Sequence, residues 1–301
     1  MSEALTEERL TTDRQTDRQT DRASMSNPMP HKTTFIVLGA KGATGRLIVA
    51  ELLARPEDEV RRVLACVRNP DAVPEGTFPS GDARLEIVKH VISLTGPGLP
   101  SAAVDSADDV HTVFYAAAGK GYEICKVVDR FGPGLVGKAV ADAGIKECRV
   151  VLISSQLVDP VNRWNLVRGF LNTINTGLFH HEGMMDFKFQ GEQMLRESGV
   201  SSWTILRPGR LGDGPVKSSG AISTGQNNAS FGSGGSPLAR ADLATIAVVC
   251  AFSPDASNTT VEIGADAKAD MQPLDGKQLF SSLRKDVVPE HYSSQYWSYL
   301  Q

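Results

Sequence analysis

The heptapeptide GAKGATG, Gly39 to Gly45, constrains the fold of this chain more than any other feature. It follows TTFIVL, an apolar run of strand length, and opens ATGRLIVAELLARP, an amphipathic stretch that Pro56 ends. Glycines at this spacing between a strand and a helix suit a tight turn whose backbone meets an anion at the helix N-terminus. Gly39 permits the turn, Gly42 lets the backbone approach a pyrophosphate and Gly45 allows close helix packing, with Lys41, Ala43 and Thr44 completing the loop. A glycine-rich turn without a ligand is the competing account, and the strand before and helix after the motif favour a phosphate loop.

The alternation continues along the chain. VRRVLACVRNP and RLEIVKHVI read as the second and third strands and VHTVFYAAAG as the fourth, followed by a helix in GPGLVGKAVADAGI. RVVLISS is the fifth strand, MMDFKFQGEQMLRESG a helix, and SWTILRPGRL the sixth strand. A helix in ADLATIAVVCAF, a strand in TTVEIG and a helix in DGKQLFSSLRKDV finish the pattern. Parallel strands need crossover connections, so this order predicts an α/β fold with a doubly wound parallel sheet, the Rossmann arrangement, with a small C-terminal substrate-side region. One domain is expected over 33–290. Within it 211–237, rich in Gly, Ser and Asn, reads as a flap of loop and short strand beside a substrate. The aromatic-rich ending 291–301 reads as a tail that packs on the body or on a partner.

Residues 1–32 differ from the rest. They carry the polar repeat TDRQTDRQTDR from Thr12 to Arg22, and such a segment buries too little apolar surface to offset the entropy of ordering, so a disordered tail is expected. It has no apolar core of a secretory signal, and its acidic residues argue against an organelle transit peptide. Met25 is an alternative start. A cytoplasmic location is expected, with an organelle left open.

A chain of 301 residues with 41% hydrophobic and 22% charged residues can bury a sizeable core. Its net charge of -4 and lack of a basic stripe argue against nucleic acid as a partner. Cys66, Cys125, Cys148 and Cys250 are scattered in apolar company without ligand spacing, which predicts buried free thiols and no metal site. The longest apolar run, LATIAVVCAF, falls short of the roughly 20 residues of a membrane span and reads as a buried helix.

The GxxGxxG spacing resembles the short-chain dehydrogenase/reductase superfamily, in particular its atypical members with GATGxxG-like openings. The second strand ends in CVRNP, where an acidic residue usually meets a free ribose 2'-hydroxyl; Arg68 instead offers a guanidinium to a 2'-phosphate, unless it is a plain surface charge. NADP (as NADPH) is therefore preferred to NAD. The resemblance extends to AAAG, with Ala116, Ala117 and Ala118 at the family's strand-four end beside the adenine side. It also covers LISSQ, where Ser155, next to Ser154, stands in the place of the active-site serine. It includes the Lys-xxx-Glu helix at Lys188 and Glu192, the Arg-Pro-Gly strand end with Pro208 and Gly209, and the ARADLA element with Arg240 and Asp242. Together these motifs cover 33–265 and are similar to the NAD(P)-binding, NmrA-like branch with its flavin- and biliverdin-reductase-like members.

The resemblance implies catalytic roles for Ser155 and Lys188, and it implies a tyrosine one helical turn before the lysine. Met184 stands there and cannot move a proton. Lys188 and Ser155 are expected to keep their roles toward the nicotinamide, while alcohol–carbonyl chemistry, including isomerase or epimerase reactions, suffers most. A conjugated acceptor such as a flavin or quinone escapes the requirement by collecting its proton from water. His180, His181 and Tyr122 are substitute-acid candidates, and Asp186 is expected to cap its helix or face water. The expectation is an NADPH-dependent oxidoreductase acting on a small-molecule substrate, the alternative a non-catalytic redox sensor or assembly factor. A protein partner or a homo-oligomer stays open.

Overall fold

Alternate residues of β1 (Thr34–Leu38) supply two different cores. Phe35 and Val37 point into one apolar cluster, Ile36 and Leu38 into the other, as the two-residue period of a strand buried on both faces requires. The computed structural model describes residues 32–177, 180–213, 221–227, 237–266 and 276–286. The expected tail up to residue 31, parts of the expected flap and the aromatic ending lie outside the described residues.

After β1 come α1 (Gly45–Leu53), β2 (Arg62–Val67), β3 (Leu85–Lys89), the short α2 (Ser101–Val104) and β4 (Val110–Tyr115). The next helix, α3, runs over 122–142 in three parts: an α-turn Tyr122–Cys125, a π-helical stretch Lys126–Phe131, and a regular helix Gly132–Asp142. Then follow β5 (Arg149–Ile153), α4 (Leu166–Thr176), α5 (Met184–Arg196), β6 (Ser202–Pro208), β7 (Leu211–Gly212), β8 (Ala221–Gly225) and β9 (Leu238–Ala239). The described chain closes with α6 (Arg240–Phe252), β10 (Thr259–Asp266) and α7 (Gly276–Phe280).

Among the described residues the main sheet has eight strands in the order β3-β2-β1-β4-β5-β6-β10-β8. All its neighbours are parallel except β10 and β8, which pair antiparallel with Ile263 opposite Thr224. The fold is therefore the anticipated doubly wound α/β sheet, with one added antiparallel edge. Helices α1 and α6 pack together on one face, α3 and α5 on the other. Strand order reverses at β1, which has β2 on one side and β4 on the other. Ligand crevices of such sheets open beyond the strand ends at this reversal.

Three elements differ from the sequence reading. The helix after β4 starts at Tyr122, behind Gly121 with its φ of +86°, well before the predicted GPGLVGKAVADAGI. Residues 221–225, inside the expected flap, form the edge strand β8. The unpredicted α4 turns its polar side inward: Arg168 is buried and Asn172 bonds to Asp186, while Leu166, Val167, Phe170 and Ile174 face solvent. Its start is fixed by Asn165, whose Oδ1 accepts from the Val167 N–H at 2.9 Å. Because Leu166 is 90% and Phe170 64% exposed, Leu166→Ser and Phe170→Ser should each change the unfolding free energy read from urea melts by about 0.5 kcal/mol or less.

All four cysteines are buried free thiols. Burial pushes Cys66, Cys148 and Cys250 up to about 12 and Cys125 to about 11, which leaves them unreactive at neutral pH. Among the described residues no helix is long and apolar enough to cross a membrane.

Candidate cofactor site

The loop after β1 takes the form its glycines require. Gly39 has φ +77°, and a Cβ there would lie 2.7 Å from the backbone of Ala117, so the ends of β1 and β4 approach as only glycine allows. A Cβ on Gly45 would run into the Gly39 carbonyl. The Gly42 N–H donates to the Gly39 carbonyl at 2.9 Å, and Thr44 caps α1 without a side-chain hydrogen bond, leaving the helix entrance to the backbone.

This loop borders a groove of about 660 Å³ at the strand reversal. Gly39, Lys41 and Gly42 line it from the loop, Arg68 and Asn69 from the end of β2, and Ala116, Ala117 and Ala118 from the end of β4. Lys41 Nζ donates to the Ala72 carbonyl at 2.6 Å, and Arg68 is exposed beside it. Ala43, Thr44 and Gly45 turn into the helix start and do not line the groove. His90, Ile92, Ile124 and Val128 complete its wall, residues that sequence reasoning passed over. Only the position of His90 and Ile92 just beyond the third strand could have flagged any of them. Burial lowers the His90 pKa from its ordinary 6.5, with a backbone hydrogen bond at Gly98 acting the other way.

A second, narrow cleft of about 10 Å³ lies where β4 and β5 end against α3 and α5. Ala117 lines both spaces. Here the Lys188 ammonium donates to Asp129 Oδ1 at 2.8 Å, while Asp129 Oδ2 accepts from the Gly119 N–H at 2.9 Å. The serine lining this cleft is Ser154, not Ser155. Side chains alternate between faces along an extended strand end, and the register of β5 brings Ser154 against α5, so half-buried Ser155 falls out of line with Lys188.

Ser154 Oγ donates to Glu192 Oε1 at 2.6 Å. Glu192 is fully buried and accepts two hydrogen bonds from Arg207, at 3.0 and 2.7 Å, with Arg196 at 3.5 Å. Burial opposes its charge, but Arg207, then Arg196 and Ser154, hold its pKa below the ordinary 4.5. Glu192 thus anchors α5 to β6 and fixes the turn from which Lys188 projects. Pro208 and Gly209 line neither space; the Pro208 carbonyl accepts from Gln156 N–H and the Gly209 N–H donates to Ile263, both at 2.9 Å. Arg240 pairs with Asp213, and Asp242 is buried.

None of the substitute-acid candidates lines the cleft. Tyr122 stacks on His180 with ring centroids 3.8 Å apart and meets Phe187 edge-on at 5.3 Å, and His181 is exposed. Met184 is half-buried at the first residue of α5. Asp186 caps that helix, accepting from the Gly183 N–H at 2.8 Å and from Asn172 at 2.9 Å, and it pairs with Arg168.

A glycine loop between strand and helix, opening on a groove at the reversal of a doubly wound sheet, defines a dinucleotide-binding α/β protein. The chain belongs to the NAD(P)H-binding family, whose sequence profile matches residues 39–254. Its backbone is similar to that of the oxidoreductase ylbE from Lactococcus lactis, with a TM-score of 0.60 at 14% identity over 83% of this chain and 96% of that one. A short-chain dehydrogenase/reductase from Veillonella parvula, in complex with NADP, superposes with a TM-score of 0.56 at 18% identity over 80% and 98% of the two chains. An anaerobillin reductase from Escherichia coli gives 0.52 at 17% identity over 80% and 100%. At these identities the likeness is one of fold. Comparison with curated proteins finds no match.

The residues present fit an NAD(P) cofactor: Gly39 and Gly42 line the groove with bare backbone beside the Lys41 cation, and the groove volume falls in the range of small-molecule sites, about 300–1,000 Å³.

Proposed function

We propose that this protein is an NADPH-dependent oxidoreductase that passes hydride to a small conjugated acceptor of flavin or quinone type, without a tyrosine acid. The observation that carries the reading is the continuity of the site. The groove with Lys41 and Arg68 at one end adjoins, through Ala117, the cleft holding Ser154 and Lys188. When bound, the reduced cofactor supplies the hydride, and the protein supplies position and electrostatics.

Arg68 and Lys41 are the cations suited to a ribose 2'-phosphate, Arg68 through a forked guanidinium and Lys41 as a point charge. Arg68→Ala is expected to weaken NADPH binding by about tenfold to a hundredfold, the range for a charged hydrogen bond, and to leave NADH binding unchanged. Fluorescence titration with both nucleotides checks this. Lys188 orients the nicotinamide end, and Ser154 offers its hydroxyl oxygen as an acceptor while its proton is committed to Glu192. The phenol that lines the cleft, Tyr115, is buried, donates its proton to the Val128 carbonyl and is held above its ordinary pKa by burial, and no imidazole of the described residues lines it, so the acceptor is one that takes its proton from water.

A second reading, a non-catalytic redox sensor, is favoured by one observation: the Lys188 ammonium is paired with a buried carboxylate in a cleft far smaller than a substrate. Mixing the protein and NADPH with flavin and quinone acceptors, and following reduced-nicotinamide absorbance, separates the two. Acceptor-dependent oxidation abolished by Lys188→Ala supports the reductase. Tight NADPH binding with no oxidation on any acceptor supports the sensor.

A further inference from the structure

The pairing of Lys188 with Asp129 joins residues 59 positions apart in the chain, a separation that no local motif spans. Asp129 lies in the π-helical stretch Lys126–Phe131, where the backbone departs from the regular helix on either side and every later side chain is rotated relative to an uninterrupted α-helix. Its side chain is 0% exposed, and both carboxylate oxygens are engaged, one by Lys188 and one by the Gly119 N–H. The same carboxylate therefore ties the ammonium to the turn that begins with the groove-lining residues Ala116 to Ala118.

Lysine has three N–H donors, and Asp129 occupies one. With side-chain exposure of 12%, Lys188 keeps donors for the cleft while losing most of the rotamer freedom of its long stem. Met184, one turn earlier on α5, offers no hydrogen bond that could orient it. Resting on the reading of the groove and cleft as one NADPH site, we propose that Asp129 is the positioning residue that aims the Lys188 ammonium at the nicotinamide-side ribose, acting through Lys188 and never touching the cofactor itself.

The test compares NADPH with adenosine 2',5'-bisphosphate, which carries the adenine half and cannot reach the cleft. Affinities are measured by calorimetry for the wild type, Asp129→Asn, Lys188→Gln and the double variant. Asp129→Asn is expected to weaken NADPH about tenfold and leave the bisphosphate within twofold, while adding nothing in the Lys188→Gln background, because its effect runs through the ammonium. Should Asp129→Asn strand the ammonium and fail to fold, the neutral double variant carries the test. NADPH affinity equal to that of Lys188→Gln alone supports the proposal. Unchanged NADPH affinity in Asp129→Asn overturns it, and so does an equal loss in the Lys188→Gln background, which would mark Asp129 as merely part of the architecture. A wild type that binds neither ligand removes the site reading itself, and this inference with it; binding of both with no Asp129 effect removes the inference alone.

Discussion

Replacing Glu192 with alanine is expected to cost about 3–5 kcal/mol of stability, the penalty for breaking a buried ion pair from one side. The carboxylate is fully buried, and Arg207, Arg196 and Ser154 all converge on it. Its removal leaves the buried Arg207 guanidinium to Glu262 at 3.5 Å and to the weaker field of Asp159, neither of which replaces the two hydrogen bonds lost. Against a total stability of about 5–15 kcal/mol for a typical domain, that loss should lower the urea midpoint severely. Glu192→Gln keeps the shape and a hydrogen-bond acceptor, so its cost should be smaller.

The same group sets an acid limit. A carboxyl held below its ordinary 4.5 in the folded chain stabilises the fold fully above that value, and the contribution drains away as pH falls through the lower folded value. Wild type should therefore lose stability below about pH 4.5 more steeply than Glu192→Gln, in urea melts run at stepped pH.

The second large effect is on binding. Gly39→Ala puts a Cβ 2.7 Å from the Ala117 backbone at a residue whose φ of +77° costs an alanine about 1–3 kcal/mol before any clash. The atoms it meets, in Ala116 and Ala117, are all backbone, so the ends of β1 and β4 must separate. The groove lined by both residues is expected to lose NADPH affinity by about a hundredfold, equivalent to about 3 kcal/mol. Calorimetric titration reads the loss, and circular dichroism shows whether the fold survives.

The glycine loop was legible in the sequence because its demands are local: a turn, a close approach and a helix start, all within GAKGATG. That Lys188 and Glu192 share one helix was also legible, from the periodicity of MMDFKFQGEQMLRESG, while their roles came only from the resemblance. Asp129 was not, since no hydrophobic periodicity announces a π-helical stretch and its partner arrives from 59 residues away. Which of Ser154 and Ser155 lines the cleft beside Lys188 was not legible, because strand side chains alternate and a shift of one residue turns each to the opposite face. Helix α4 escaped notice because its apolar residues, which periodicity assigns to the core, face solvent while Arg168 lies buried. A buried arginine on a helix is intelligible only once Asp186 is seen beside it.

The most direct test is one titration, NADPH and NADH each added to the 301-residue protein with bound nucleotide followed by fluorescence. Saturable binding of both, with NADPH the tighter and its advantage erased by Arg68→Ala, is the predicted result. Tighter binding of NADH, or no binding of either nucleotide, would contradict it.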